Sequence, residues 1–142
     1  MEEITKLIAA IESLIPKYMS DPADKNITNG NLSVCIIDEN NNVYGKIFNS
    51  EKTRGRDSFK IAWTKASQVW MTGYKTGEFE KLVFNGKVNE NKYGISKPDL
   101  IGWDGGQPIV LKSKSKISVG FSGLRGSSDL EIITKAIKQA NL

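Results

Sequence analysis

The sequence contains no histidine. That one absence excludes Ser–His and Cys–His nucleophile pairs, histidine-ligated zinc and a proximal-histidine haem together. Cysteine is almost missing as well. Cys35 stands alone, so neither an internal disulfide nor a thiolate metal site can form, and no metal is expected. Its setting, Leu32-Ser-Val-Cys-Ile-Ile37, reads as a buried, reduced core position. Long hydrophobic runs are lacking too. The longest near the N-terminus, Leu7-Ile-Ala-Ala-Ile11, falls far short of the ~20 residues that cross a bilayer. No basic and apolar leader opens the chain, so a cytoplasmic protein without a membrane partner is expected. Chemistry is left to carboxylates, lysine, arginine, tyrosine, hydroxyls, the lone thiol and backbone dipoles.

What is present fits one domain over 1–142, long enough to bury a core, with 39% hydrophobic and 25% charged residues. The net charge of +4 is dispersed. Lys46, Lys52, Arg54, Arg56 and Lys60 lie in one region and Lys112, Lys114 and Lys116 in another, with acidic residues interleaved. Nucleic-acid binders concentrate positive charge on a face or tail. No nucleic-acid partner is expected.

Apolar residues at Ile4, Leu7, Ile8, Ile11, Leu14 and Ile15 predict an amphipathic helix over 3–19. Asp21-Pro22 and Asn29-Gly30 read as the loop that follows. Leu32 to Asp38 and Val43 to Phe48 read as a hairpin. Glu51 to Asp57 is polar and basic, and Asp57 or Ser58 is placed to cap a helix running to Gly73. Phe59, Ala62, Trp63, Ala66, Val69 and Trp70 would form its apolar face, with the two tryptophans suiting a core or an oligomer contact. A weaker helix follows over 78–84, then a polar loop over 85–97. Short apolar pieces flank Asp104-Gly105-Gly106, a strand runs from Ile117 to Phe121, and a last helix starts after Gly126. Ser128 and Glu131 have capping-box spacing. Short turns between strands imply an antiparallel sheet under helices, an α+β sandwich.

Two turns carry the candidate chemistry. In the stretch from Ile117 to Asp129 an alternating strand ends in Gly120, Gly123 and Gly126, and a helix begins at once. Backbone N–H groups there, with Arg125, Ser122 and Ser128, suit a carboxylate or phosphate. The other reading is that the glycines permit tight turning and close packing. Trp103-Asp104-Gly105-Gly106-Gln107 offers a carboxylate as general base beside an indole that could cover a planar ligand. A plain Asp-Gly turn is the alternative.

Four of these pieces, in order, resemble the GlcG/HbpS-like family, which includes the haem-degrading-domain and PduO C-terminal proteins. They are the Leu32–Asp38 hairpin strand, Ser58 with Ala62, Lys65 and Ala66, the Gly105-Gly-Gln-Pro-Ile109 turn, and Val119-Gly-Phe-Ser-Gly123 with Asp129. The resemblance implies a profilin-like fold, an antiparallel sheet flanked by helices, and assembly into homo-oligomers. Some members bind haem or accompany corrinoid, diol-utilisation or glycolate-oxidation enzymes. Without histidine, haem comes behind a small anionic metabolite as the expected ligand, and no cofactor is expected. The leading expectation is a ligand-binding protein whose site comprises Trp103, Gly105, Gly106, Ser122, Gly123, Arg125 and Ser128. The alternatives are a cofactor-free enzyme using Asp104 or Asp57 as base, a haem or tetrapyrrole carrier, and an accessory subunit.

Overall fold

The apolar stripe at the N-terminus folds as α1, Glu2–Met19, burying Ile4, Leu7, Ala10, Ile11 and Tyr18. The computed structural model describes residues 2–49 and 51–142. The expected loop after α1 holds a second helix instead, α2, Pro22–Thr28. The residues that signal a loop in the sequence act as caps. Asp21 accepts the Ala23 N–H at 2.9 Å, Pro22 opens the first turn, and Asn29 closes the helix at φ 53°.

The hairpin forms as expected from β1, Ser33–Asp38, and β2, Val43–Ile47. Next comes α3, Lys52–Thr72, which starts a turn and a half before the predicted Asp57 or Ser58 cap. The basic residues there are good helix formers with their charges in solvent, so polarity alone did not mark a loop. Gly73 ends the helix at φ 79°. Then follow α4, Thr76–Phe84, a long loop with a 3-10 turn at Glu90–Tyr93, β3, Gly106–Val110, β4, Lys116–Ser122, and α5, Gly126–Gln139. The apolar piece before Asp104 is not a strand.

The four strands form an antiparallel sheet in the order β2-β1-β4-β3. Val34, Ile36, Ile117, Val119 and Phe121 face α1 and α5 and make the larger core. The opposite face carries Cys35 and Ile37 against Ala62 and Ala66 of α3. Burial there pushes the Cys35 thiol up to about 12, so it stays protonated. The architecture is the expected α+β sandwich. Gly120 sets the spacing of the α3 layer. A Cβ there would strike the Ala62 carbonyl and come within 2.6 Å of the Ala66 nitrogen. No helix among the described residues is long and apolar enough to cross a membrane.

Candidate functional site

The close seat of α3 on β4 carries a lysine into the interior. Lys65 is 3% exposed and Asp129 of α5 is 3% exposed. The Lys65 ammonium donates to the Phe121 carbonyl at 2.9 Å and to Asp129 Oδ2 at 3.2 Å. Asp129 Oδ1 accepts the Leu124 N–H at 2.9 Å. Desolvation pushes the Asp129 carboxyl up to about 7, with Lys65 and the Leu124 N–H opposing the rise. Gly105, at φ 125°, closes over the pair. A Cβ there would lie 2.6 Å from Lys65 Nζ and from the Phe121 oxygen. Only glycine suits that backbone and that space.

The pair lies in the wall of a groove between α3 and the β4–α5 junction. One chamber, of about 370 Å³, is lined by Ile27, Ile61, Lys65, Trp103, Leu124 and Asp129 among others. A second, of about 500 Å³, shares Ile27, Thr28, Ile61 and Ser122 with it and runs on to Ser58, Asp57 and Arg54. The first chamber is chiefly apolar with one buried ion pair. The second is lined by hydroxyls and has a charged rim. A larger hollow of about 650 Å³ lies between α4 and the loop before β3, walled by exposed side chains such as Glu80, Lys81 and Lys97. It holds no buried ionisable group, so the groove is the better candidate.

The turn carrying Trp103, Asp104, Gly105 and Gly106 is pinned from two sides. Gln68 exchanges hydrogen bonds with the Ile101 backbone, both at 2.8 Å. Thr76 donates to the Trp103 carbonyl at 2.5 Å and accepts the Gly106 N–H at 3.3 Å. Trp103 is exposed above the first chamber. Asp104 lies between the first turns of α4 and α5. A Cβ on Gly77 would collide with its Oδ1, and one on Gly126 would lie 3.0 Å from its Cβ. Neither helix has a side-chain cap, so both dipoles welcome a carboxylate there. Ser122 and Gly123 line the first chamber, whereas Asp57 stands at the far rim of the second. Trp103, Asp104, Ser122 and Gly123 line the first chamber, Gly105 packs on Lys65 behind it, Gly106 packs on Thr76 and Val69, and Asp57 stands apart.

Arg125 and Ser128 need correction. Both turn away from the groove toward Asp24 of α2, itself 2% exposed. Asp24 Oδ1 accepts the Arg125 N–H at 3.0 Å and its Nε–H at 3.1 Å, and Oδ2 accepts the Ser128 hydroxyl at 2.9 Å. Arg125 also pairs with Asp21 at 3.0 Å. Its donors hold the carboxyl of Asp24 below the ordinary carboxylate range against the desolvation that would raise it. Ser128 lies inside α5 and bonds Asp24, so the Ser128–Glu131 box does not form. Glu131 instead accepts from Tyr18 at 2.7 Å. The arginine meant for an anion already has two carboxylates.

The family model described as "Haem degrading protein HbpS-like" matches residues 17–138. The chain belongs to the HbpS-like family. Solved structures with the same fold include a double mutant of HbpS from Streptomyces reticuli, 19% identical over 97% of this chain and 84% of that one, with a TM-score of 0.65. The Klebsiella pneumoniae protein ORFY is 17% identical over 99% and 88%, with a TM-score of 0.70. A PduOC–haem complex is 16% identical over 97% and 91%, with a TM-score of 0.71. At such identities the likeness shows the fold. No curated protein gives a significant match to the sequence.

Within this HbpS-like chain, the motif residues Lys65 and Asp129 lie in the wall of the first chamber. Both belong to the motifs that carry the resemblance, and neither is among the site residues expected from the sequence. Lys65 follows Ile61 and Ala62 on α3 like any surface lysine. The signal that could have found it is its place on the same stripe as Ala62 and Ala66, the face buried on the sheet.

Proposed function

We propose that this protein binds a small carboxylic acid in the groove, with the ligand's carboxylate on Lys65 and its body between Ile27, Ile61 and Trp103. The observation that carries the reading is the state of Lys65. It is buried, it lines the first chamber, and two of its three N–H donors are taken by protein acceptors. A third remains for a ligand, in surroundings where a charge-assisted hydrogen bond is strong. Titration calorimetry with acetate, butyrate and hexanoate tests it. Lys65→Met should lose binding at least tenfold, while Arg125→Ala should keep it and lower the Tm, because Arg125 holds Asp24. Loss in Arg125→Ala with Lys65→Met unaffected would move the head group away from the groove.

A second reading has its own observation. A carboxyl raised to about 7 beside a lysine, in a cleft, is poised to give or take a proton near neutral pH. On that reading the base of a cofactor-free enzyme would be Asp129 in place of Asp104 or Asp57. Haem is a candidate ligand through the family and its haem-bound neighbour. The groove's donor set does not suit an axially ligated iron. Among the described lining residues are hydroxyls, carboxylates, Arg54 and an ion-paired lysine, with no tyrosine, methionine or cysteine.

A further inference from the structure

Four residues of α3 (Arg54, Ser58, Ile61 and Lys65) recur at helical spacing and line the whole groove from rim to floor. Ser58 and Lys65 are two turns apart, about 10 Å along the axis. Below Ser58 the sheet contributes two more hydroxyls. Ser33 and Ser122 are cross-strand partners. Both lie in phase with the residues that meet α3, Ser33 with Cys35 and Ser122 with Gly120. All three serines are buried. The hydroxyls of Ser33 and Ser58 have no hydrogen-bond partner among the described residues.

Buried hydroxyls without partners are unusual and each costs stability. Ser58 and Ser122 line the chamber of about 500 Å³, with Ser33 buried behind Ser122, and the unpartnered Ser58 hydroxyl marks a place where a ligand or its water supplies the missing bond. Each serine can both donate and accept, and can turn about χ1 with its backbone fixed. That suits a partner that also does both, an alcohol. The rim gives the second constraint. Glu51, Asp57 and Asp104 stand there against Arg54, so the entrance is net negative and repels polyanions such as phosphate esters. The Asp57 carboxylate accepts no hydrogen bond among the described residues and is a good acceptor for ligand hydroxyls.

We propose that the groove takes a polyhydroxylated monocarboxylic acid stretched along α3, its carboxylate on Lys65 and its hydroxyls against Ser58 and Ser122. The proposal rests on the seat at Lys65 argued above and adds the chemistry of the rest of the ligand. A six-carbon acid with a hydroxyl on each further carbon spans the distance from Lys65 to Ser58.

Calorimetric titration of the full chain with D-gluconate, hexanoate and 6-phosphogluconate separates the claims. Gluconate should bind at least tenfold tighter than hexanoate, and the phosphate ester more weakly than gluconate. Ser58→Ala should lose at least tenfold for gluconate, leave hexanoate unchanged and not lower the Tm, because its hydroxyl has no bond to forfeit among the described residues. Equal binding of gluconate and hexanoate, both dependent on Lys65, would overturn the hydroxyl proposal and leave the carboxylate seat standing. A Ser58→Ala protein weakened equally for both acids, with a lower Tm, would show a packing role and also overturn it. Tighter binding of the phosphate ester would defeat the charge argument. If wild type binds none of the three, the seat at Lys65 falls with the rest.

Discussion

Asp129 shows how burial turns a common residue into a pH-dependent one. In the unfolded chain its carboxyl returns to its ordinary value of 3.8, while in the fold it is pushed up to about 7. Between those values the folded protein holds a proton that the unfolded chain has released. Its contribution to stability is therefore fully present below about pH 4 and is lost as the pH rises through 7. Asp129→Asn removes that dependence. The Tm of the variant relative to wild type should climb from pH 4 to pH 7, and a constant difference by calorimetry would mean that the carboxylate stays ionised beside Lys65 throughout. Asp24 works in the opposite sense. Arg125 and Ser128 hold its carboxyl below 3.8, so its contribution is present above that value and fades in stronger acid.

Among the elements, the contact of α3 with β4 matters most, because it brings Lys65 inside. Gly120→Ala would press a methyl group into the backbone of Ala62 and Ala66. We expect a loss of about 1–3 kcal/mol, measured by urea unfolding, as for other overpacked cores. Binding should weaken too, since α3 forms one wall of the groove. The glycines of this strand were legible as marks of close packing. So were the hairpin, α1, α4 and α5, each from its own apolar residues. The start of α3 was not, because helix-forming lysines and arginines in solvent look like a polar loop. Nor was α2, whose seven residues are too short to show a stripe. The candidate site was half legible. Trp103, Asp104 and Ser122 lie beside glycines that announce a turn, but the partner of Arg125 is Asp24, 101 residues away. Local pattern cannot reveal a contact of that separation, and Lys65 with Asp129 fails for the same reason.

On the molecule as a whole, α3 and the outer strand leave an apolar strip. Ile47 lies beside Gly55, Phe59 over Gly45, and the Trp70 indole donates to Asn41 at 3.2 Å, so helix and strand run side by side. Trp63 and Trp70 are 49% and 52% exposed, and Val43 and Ile47 are similarly bare. A strip of this composition suits the self-association that the family resemblance implies. Light scattering on the Trp63→Ser/Trp70→Ser variant should give a smaller particle than wild type, and equal masses would place any contact elsewhere. The groove has a different consequence for the whole molecule. Its walls come from α2, from the middle of α3, from the turn at Trp103 and from the start of α5, stretches that meet only in the finished fold. An occupant therefore recognises the native state alone, and binding and folding draw on one free energy. At a hundredfold excess over its Kd, such a ligand adds about 2.7 kcal/mol to the resistance to unfolding. A melting curve thus reports occupancy even before the occupant has a name.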